Sequence, residues 1–320
     1  MGSIKNNNLN NEYIYRINKV LDYIDSNMGD DLSLDVLSNV ANFSSYHFHR
    51  IFSTIIGEPL SKYIQRIRLE KAALILVSNS KYPIGQIASI CGFENQSSFS
   101  RAFQMHFGFS ASELRKDKSL LESKKCKTDS KRRKDSLDPL AYNSIVENMG
   151  RKTYVPKVRP LSIEVKNSNE MAVAYIRIIG TFNGELEVFQ NTLLRLVRWA
   201  EIRDLIQFPE TKILSLYHDN PDITDDIKLR TSLCVTVPEH TKVDGEIGKM
   251  VIPGGKYAVA HFMIGANEFK SAWDFIWGEW LPESGYQPDE RPCFEVYMNN
   301  PNEHPEHKSI VDIYVPVKPL

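Results

Sequence analysis

Polar and basic side chains at helical spacing are the first residues in this sequence whose types suggest a chemistry. Between positions 96 and 104 they are Gln96, Ser97, Ser100, Arg101 and Gln104. Amide, hydroxyl and guanidinium groups of these kinds hydrogen-bond base edges and phosphates. The apolar residues Phe99, Phe103 and Phe107 recur every four positions between them. The pattern predicts a helix that buries its Phe stripe and presents a surface able to contact nucleic acid.

A short helix and a tight turn precede this surface. Ile84, Ile87 and Ile90 recur at helical spacing, and Cys91-Gly92-Phe93 follows them. Glycine supplies the permissive backbone that a tight turn between helices needs. Asn95 is the expected N-cap of the next helix. Two short helices joined by a turn that contains glycine predict a helix-turn-helix.

A second copy of this pattern lies earlier in the chain, between Val36 and Gly57. A shift of 51 residues superimposes five positions, and we expect the same turn length in both copies: Ala41, Phe48, Arg50, Phe52 and Gly57 fall on Gly92, Phe99, Arg101, Phe103 and Gly108. The chain is therefore predicted to carry two helix-turn-helix units.

A long helix over 60–77, opened by Pro59, is predicted between the two units. A helix over 11–26 is predicted before the first unit, and Ser33 is the expected N-cap of that unit's first helix. The long helix would hold the units at a fixed separation. Recognition helices about 34 Å apart enter successive major grooves on one face of B-DNA.

The motif Ile87-Ala-x-x-x-Gly92-Phe93, continued by Phe99-x-Arg101-x-Phe103 and Phe107-Gly108, resembles the AraC/XylS signature. The resemblance implies a seven-helix DNA-binding domain over residues 11–115, a monomer that binds an asymmetric promoter site, and RNA polymerase as a partner. It departs from the family pattern at 110–115. The residues that it implies for DNA binding are Ser45, Tyr46, His49 and Arg50 in the first unit, and Gln96, Ser97, Ser100 and Arg101 in the second. Whether the two arginines read bases or clamp phosphates stays open.

Composition and charge fit a two-domain protein. At 42% apolar and 25% charged residues, the 320-residue chain has the make-up of a soluble globular protein. Residues 1–160 carry 24 Lys and Arg against 16 Asp and Glu, whereas residues 161–320 carry 15 against 24. A basic first half suggests a polyanionic partner there. We expect a basic linker over 116–160, a cytoplasmic location, no membrane contact, no metal and no cofactor, because neither a spanning segment nor paired cysteine spacing occurs.

The second half predicts an α+β domain built from a repeat. Strands are expected at 162–165, 171–179, 213–217 and 229–237, with a helix over 186–202. The order strand, helix, strand, strand then recurs up to residue 317, with its helix over 267–281. Short sequence echoes support the repeat: Tyr217-His-Asp-Asn-Pro221 matches Tyr297-Met-Asn-Asn-Pro301. Two such units imply a pseudo-two-fold domain with a cleft at the junction, a common ligand site.

This layout, with Phe294-Glu-Val-Tyr297 and Asp312-Ile-Tyr-Val-Pro316, resembles the GyrI-like effector-binding domain over residues 161–320. The resemblance implies a bulky, often cationic organic ligand held by aromatic rings and a buried glutamate, which matches Glu295 here. The ligand-binding candidates are Glu295, Tyr217, Tyr297, Trp273 and Trp277. Strand alternation places Glu295 and Tyr297 on one face. Two plainer interpretations remain open: a glutamate satisfied by neighbouring donors, and tryptophans that only pack on the sheet.

The hypothesis favoured by both halves is a transcription regulator, expected to be an activator, that binds promoter DNA and responds to a small molecule. In a second hypothesis the C-terminal domain is a hydrolase with Glu295 and a tyrosine as its acid and base. A third makes it a protein-interaction module, which a filled cleft would favour. We expect no catalytic residues, since no triad, metal cluster or phosphate loop is present in the sequence.

Overall fold

The computed structural model describes residues 2–78, 81–121, 158–180, 186–221, 223–289 and 291–320, without the side chains of residues 2–10, 46 and 186. In the N-terminal part, seven helices lie wholly within the described residues and pack as a bundle. They are α1 (Gly2–Ser26), α2 (Leu34–Val40), α3 (Ser45–Ile56), α4 (Leu60–Ser78), α5 (Ile84–Ile90), α6 (Gln96–Phe107) and α7 (Ala111–Lys116). Helix α1 begins nine residues before the predicted start at Asn11.

The two predicted helix-turn-helix units are confirmed, one formed by α2 and α3 and the other by α5 and α6. The hydroxyl of Ser33 accepts the amide of Val36, and the carboxamide of Asn95 accepts that of Ser98, so both expected N-caps are present. Gly57 and Gly108 end the two recognition helices in the left-handed conformation, at φ 80° and 85°.

The expectation of equal turn lengths is wrong. Helices α2 and α5 correspond by a shift of 50 residues, and the recognition helices by a shift of 51. The extra residue of the second unit, Glu94, lies between Phe93 and the N-cap. Sequence comparison missed it because it paired Gly92 with Ala41, whereas the residue that adopts the left-handed conformation in the first turn is Asn42. A Cβ on Gly92 would lie 2.6 Å from the carbonyl oxygen of Met28, so this turn requires glycine.

Helix α4 joins the two units through its own side chains. Leu60, Tyr63 and Ile67 belong to the core of the first unit, around Phe48 and Phe52. From Leu69 onwards, the buried face of α4 belongs to the core of the second unit. There Leu69, Ala72, Ala73, Ile75 and Leu76 pack around Phe99, Phe103 and Phe107. The predicted spacer is therefore a structural member of both units. A shift of α4 would be felt by both recognition helices.

Helix α7 forms despite the departure from the family pattern at 110–115. Ser110 and Glu113 make a reciprocal capping box, which satisfies two amides at the start of the helix. Leu121, next in the chain, is buried in the core of the second unit. The rest of the predicted linker over 116–160, from residue 122 to 157, lies outside the described residues.

The C-terminal part is an antiparallel sheet with helices on one face. Its strands are β1 (Ser162–Ser168), β2 (Met171–Ile179), β3 (Ile213–Tyr217), β4 (Arg230–Thr236), β5 (Gly248–Ile252), β6 (Gly255–Ile264), β7 (Tyr286–Pro288), β8 (Cys293–Tyr297) and β9 (Ser309–Pro319). The order is β1-β6-β9-β8-β3-β4-β2-β5, with β7 on β9. This order reads as two equivalent halves that meet between β8 and β3, which confirms the pseudo-two-fold repeat.

Helix α8 (Leu186–Glu201) packs Leu196 and Ala200 against β2 and β4. Its counterpart starts as α9 (Phe269–Phe275), continues as a π-helical stretch (Ile276–Trp280) and ends as α10 (Leu281–Glu283). The prediction was one regular helix over 267–281. A π-turn has one more residue than an α-helical turn. Trp273 and Trp280 pack on the same sheet core, whereas Trp277 is exposed.

Candidate functional site

The second helix-turn-helix unit exposes all of its candidate DNA-binding side chains. Gln96, Ser97, Ser100 and Arg101 lie on the exposed face of α6, opposite the buried phenylalanines. The carboxamide of Gln96 rests on Gly85 of α5, where a Cβ would lie 3.0 Å from its oxygen. The pattern that predicted a polar surface opposite a Phe stripe is confirmed.

The first unit is arranged differently. His49 and Arg50 are exposed on α3, and the side chain of Tyr46 lies outside the described residues. The hydroxyl of Ser45 donates to Oδ1 of Asp35 at 2.7 Å and lies 3.1 Å from the hydroxyl of Ser38. Ser45 thus fastens α3 to α2, and its proton is already used within the protein.

The candidate ligand site lies where the two repeats meet, between β3 and β8. Strand register places Ser215 opposite Glu295 and Tyr217 opposite Cys293. The carboxylate of Glu295 is 2% exposed. It accepts hydrogen bonds from Nε1 of Trp273 at 2.6 Å, from the hydroxyl of Tyr297 at 2.9 Å, and from Tyr217.

Aromatic rings from both repeats surround this carboxylate. Trp273 packs edge-on against Tyr217 with ring centroids 5.7 Å apart, and Phe189 packs edge-on against Tyr297 at 6.1 Å. The rings of Trp273, Tyr217 and Tyr297 are partly exposed, whereas the carboxylate behind them is buried. The site is closed around its own donors, and its aromatic rim reaches the surface.

Four of the five ligand-binding candidates are brought together by the fold. The exception is Trp277, which lies in the π-helical stretch and is 40% exposed; among the described residues it makes none of the hydrogen bonds or ring contacts of the Glu295 cluster. Trp280 packs on the sheet core. Sequence reasoning missed Ser215 as a participant in the site; it is buried, and its hydroxyl lies 2.8 Å from that of Tyr297.

The electrostatics of the cluster follow from burial. Burial raises the pKa of Glu295 above its ordinary value, although the hydrogen bonds from Trp273, Tyr217 and Tyr297 act in the opposite direction. Burial and the neighbouring carboxylate also raise the pKa of both tyrosines well above 10. A cation beside the carboxylate would act in the same direction as these hydrogen bonds and lower the pKa of Glu295.

A second set of buried charges joins the two parts of the chain. Arg177 of β2 binds Asp22 of α1 at 2.7 Å, and Arg230 of β4 binds Asp25 of α1 at 2.9 Å. Sequence reasoning missed these residues. The available signal was an arginine in the middle of the apolar strand Ala-Val-Ala-Tyr-Ile-Arg-Ile-Ile.

The described ranges contain neither a metal-binding cluster nor a membrane-spanning helix. Within them, His, Cys, Asp and Glu form no group of three or more that could hold a metal ion. The described helices also lack the length and apolar character that would be needed to cross a bilayer.

Comparison with known protein families gives two matches. Residues 161–318 match the GyrI-like small molecule binding domain, and residues 37–117 match a helix-turn-helix domain. The first contains the Glu295 cluster, and the second contains both recognition helices.

Individual proteins show the same two relationships. DNA gyrase inhibitor of Escherichia coli strain K12 is 29% identical over 162 residues, which are 50% of this chain and 98% of that protein. DNA gyrase inhibitor 2 of Dickeya dadantii strain 3937 is 30% identical over 127 residues, 38% of this chain and 76% of that protein. Among solved structures, the EcmrR–DNA complex aligns with 90% of this chain and 99% of its own at 16% identity, with a TM-score of 0.42.

The chain thus joins a DNA-binding part with exposed recognition helices to a part with a buried carboxylate under aromatic rings. By these matches it belongs to the GyrI-like family through its C-terminal half, carries an AraC-type helix-turn-helix domain in its N-terminal half, and is an effector-responsive regulator of transcription.

Proposed function

We propose that the chain binds promoter DNA through α3 and α6, activates transcription in contact with RNA polymerase, and is controlled by a hydrophobic cation in the Glu295 site. The observation that carries the proposal is the pair of exposed recognition helices held on one shared helix, α4, in a chain that also buries a carboxylate under aromatic rings. We place this activity in the cytoplasm.

The DNA part assigns base or phosphate contacts to His49 and Arg50 in the first unit, and to Gln96, Ser97, Ser100 and Arg101 in the second. Tyr46 belongs to the same helix face by helical spacing. Ser45 belongs to the set through its position at the start of α3, where its oxygen can still accept a hydrogen bond while its proton stays with Asp35.

Selected promoter fragments and fluorescence anisotropy test this assignment. We expect Arg50→Ala and Arg101→Ala each to weaken binding by about 1–3 kcal/mol, roughly 5- to 150-fold, and to relax preference at one base if the arginine reads a base. If it clamps a phosphate, binding weakens on all sequences alike and the salt dependence falls. Arg195→Ala is the matched control, because Arg195 lies on α8 and forms a solvent-accessible ion pair with Glu246. Unchanged affinity in both test variants would refute the assignment.

For a ligand to bind, the closed Glu295 cluster must give up one of its internal hydrogen bonds in exchange for a contact with the ligand. A cation that enters beneath the rim pairs with Glu295 and stacks on the rings of Trp273 and Tyr217, which compensates for the hydrogen bonds it displaces. Trp277, which is exposed four residues after Trp273, is proposed as an outer contact for large ligands.

Calorimetric titration with tetraphenylphosphonium, a hydrophobic cation, tests the site. We expect wild type to bind it and Glu295→Gln to bind it at least about tenfold more weakly, since the glutamine keeps the size but not the charge. A neutral aromatic compound of similar size is the control ligand. Equal affinity of both proteins for the cation would remove Glu295 from the site.

We also propose that the C-terminal domain is a binding domain and not an enzyme. The carboxylate of Glu295 already accepts three hydrogen bonds, and in the described residues no nucleophile paired with a base lies beside it. Recovery of the bound compound chemically unchanged after prolonged incubation is expected. A turned-over product would contradict this proposal and favour a hydrolase.

A second candidate function is inhibition of a protein partner by the C-terminal domain. Two observations favour it: the closed state of the Glu295 cluster and the name DNA gyrase inhibitor carried by relatives that this domain spans almost completely. DNA gyrase supercoiling assays with the purified chain decide the point. Inhibition that survives Glu295→Gln would establish an interaction role separate from ligand binding.

A further inference from the structure

The ligand site and the DNA-binding domain lie on opposite faces of the same sheet, and both reach the end of β3. Side chains alternate between the two faces of a strand. Tyr217, the last residue of β3, points to the helix-covered face and contacts Trp273. His218, the next residue, lies with Ser232 and Arg177 on the other face, at 2.8 Å and 3.2 Å.

Buried charges fill this other face where helix α1 docks. The side chain of Arg230 is 3% exposed and that of Asp219, which it binds at 2.6 Å, is 4% exposed. Arg230 also donates to Asp25 of α1 and to the hydroxyl of Tyr63 of α4, the latter at 2.9 Å. Only one residue therefore separates Tyr217, in the ligand site, from Asp219, in the charged interface.

The connection from β3 to β4 continues along α4. Ile223 packs against the core of the second helix-turn-helix unit. Thr224 donates to Glu70 at 2.9 Å, and Lys228 binds Glu58, just before α4, at 3.1 Å. Both glutamates in turn hold Arg66 in the middle of α4. The connection thus rests on the helix that joins the two DNA-reading units.

The internal repeat shows that these charges are not required by the fold. In the first repeat Oδ2 of Asp219 accepts the amide of Arg230 at 2.8 Å, and the amide of His218 donates to the carbonyl of Arg230 at 3.1 Å. In the second repeat Asn299, Ile310 and Met298 make the same two bonds at 2.7 Å and 2.9 Å. The second repeat thus forms the same two hydrogen bonds, which we call the bracket, without ionisable side chains. The charges of Asp219 and Arg230 therefore serve the contact with α1 and α4.

We propose that the connection between β3 and β4, through residues 218–221 and 223–229, transmits occupancy of the Glu295 site to the DNA-binding domain by changing the contacts of Asp219 and Arg230 with α1 and α4. A ligand that displaces the ring of Tyr217 from Trp273 moves the end of β3, and Asp219 moves with it. Arg230 can then keep a well-aligned hydrogen bond to Asp219 or to Asp25, but not to both. As a result α4 shifts, and the two helix-turn-helix units shift with it. This inference rests on the proposed ligand function.

The experiment measures the coupling itself. The affinity for promoter DNA is determined with and without saturating tetraphenylphosphonium, in wild type and in the variant His218→Met, Asp219→Asn, Arg230→Ile, which copies the bracket of the second repeat. Coupling between sites in proteins is about 5- to 150-fold. We expect such a factor in wild type, a factor below about twofold in the variant, and an unchanged affinity of the variant for tetraphenylphosphonium.

Asp25→Asn is the milder second variant, because it keeps the shape of the side chain and removes only the interdomain charge. Asp274→Asn, in the exposed pair with Lys270 on α9, is the matched control and is expected to keep the wild-type factor. A wild-type coupling factor in Asp25→Asn and in the triple variant would overturn the proposal.

A second arm does not need a ligand. Trp273→Ala removes a partner of both Tyr217 and Glu295, and amide hydrogen exchange then reports where the change is felt. We expect faster exchange over 218–229 and over 60–78. Faster exchange in β8 alone would overturn the transmission route. If tetraphenylphosphonium fails to bind wild type, the proposed ligand class fails, and this arm still decides the route.

Discussion

Replacement of Arg230 by methionine tests how much the interdomain charges contribute to the free energy of unfolding. Methionine keeps the length and apolar stem of the side chain and removes the guanidinium. Arg230 binds Asp219 through Nε and Nη2, and Asp25 and Tyr63 through Nη1. The substitution therefore leaves two carboxylates without their cation.

The burial of each carboxylate sets the expected magnitude. The side chain of Asp219 is 4% exposed, so its charge cannot regain water, whereas that of Asp25 is 26% exposed and can be partly rehydrated. Breaking a buried ion pair by removal of one partner costs about 3–5 kcal/mol. We expect Arg230→Met to lower the free energy of unfolding by about this amount. Asp25→Asn, which leaves the pair with Asp219 intact, should cost about 1–2 kcal/mol.

Urea unfolding followed by tryptophan fluorescence measures this cost in the right domain, because all four tryptophans (Trp199, Trp273, Trp277 and Trp280) belong to the C-terminal part. With a slope of about 2 kcal/mol per M, the expected loss shifts the midpoint by about 1.5–2.5 M. Arg195→Met is the control: its pair with Glu246 is 55% and 21% exposed, and such pairs contribute about 0–1 kcal/mol. A cost for Arg230→Met no larger than that of the control would refute the reasoning.

Three further predictions follow from single contacts. Burial raises the pKa of Glu295 above 4.5, so the affinity for tetraphenylphosphonium in calorimetric titrations should rise with pH above that value as the carboxylate forms, and stay flat in Glu295→Gln. Burial beside two arginines holds the pKa of His218 well below 6.5; because only the unfolded state then takes up a proton, the free energy of unfolding in urea should fall as pH drops below 6.5, and less so in His218→Gln. Gly92→Ala and Gly57→Ala carry the same left-handed backbone strain of about 1–2 kcal/mol, but only at Gly92 does the new methyl meet a carbonyl at 2.6 Å, so thermal unfolding should show the larger loss there.

The helical half could be predicted closely from sequence because its signals are local. The spacing of Phe99, Phe103 and Phe107 and the cap at Asn95 depend only on neighbours along the chain, and each was found as expected. The unequal turns were missed because the shift of 51 pairs Gly92 with Ala41, another small residue, whereas the structural counterpart of Gly92 is Asn42. A repeat inferred from matching residue types does not reveal such an offset of one residue.

In the β half, the order of strands and helices could be predicted from the sequence pattern. The face that carries Glu295 and Tyr297 could also be predicted, because side chains alternate across a strand. The π-helical stretch, which contains Trp277, was not predicted. Nor was the pairing of Arg177 with Asp22 foreseeable, since the two residues are 155 positions apart and nothing in the local pattern of either names the other.

The period of two in a strand explains how one short segment serves two surfaces. Strand β3 ends with Tyr217 on the helix-covered face, and because His218 continues the extended chain, it must lie on the opposite face. A ligand site on one face and a docked domain on the other therefore meet at adjacent residues without any element crossing the sheet. The second repeat has the same geometry at Tyr297 and Met298, but Met298 is 58% exposed and meets solvent. The pseudo-symmetric domain thus has two equivalent strand ends next to its ligand site, after Tyr217 and after Tyr297. The polar and charged side chains of His218, Asp219 and Arg230 distinguish the one on which the DNA-binding domain docks.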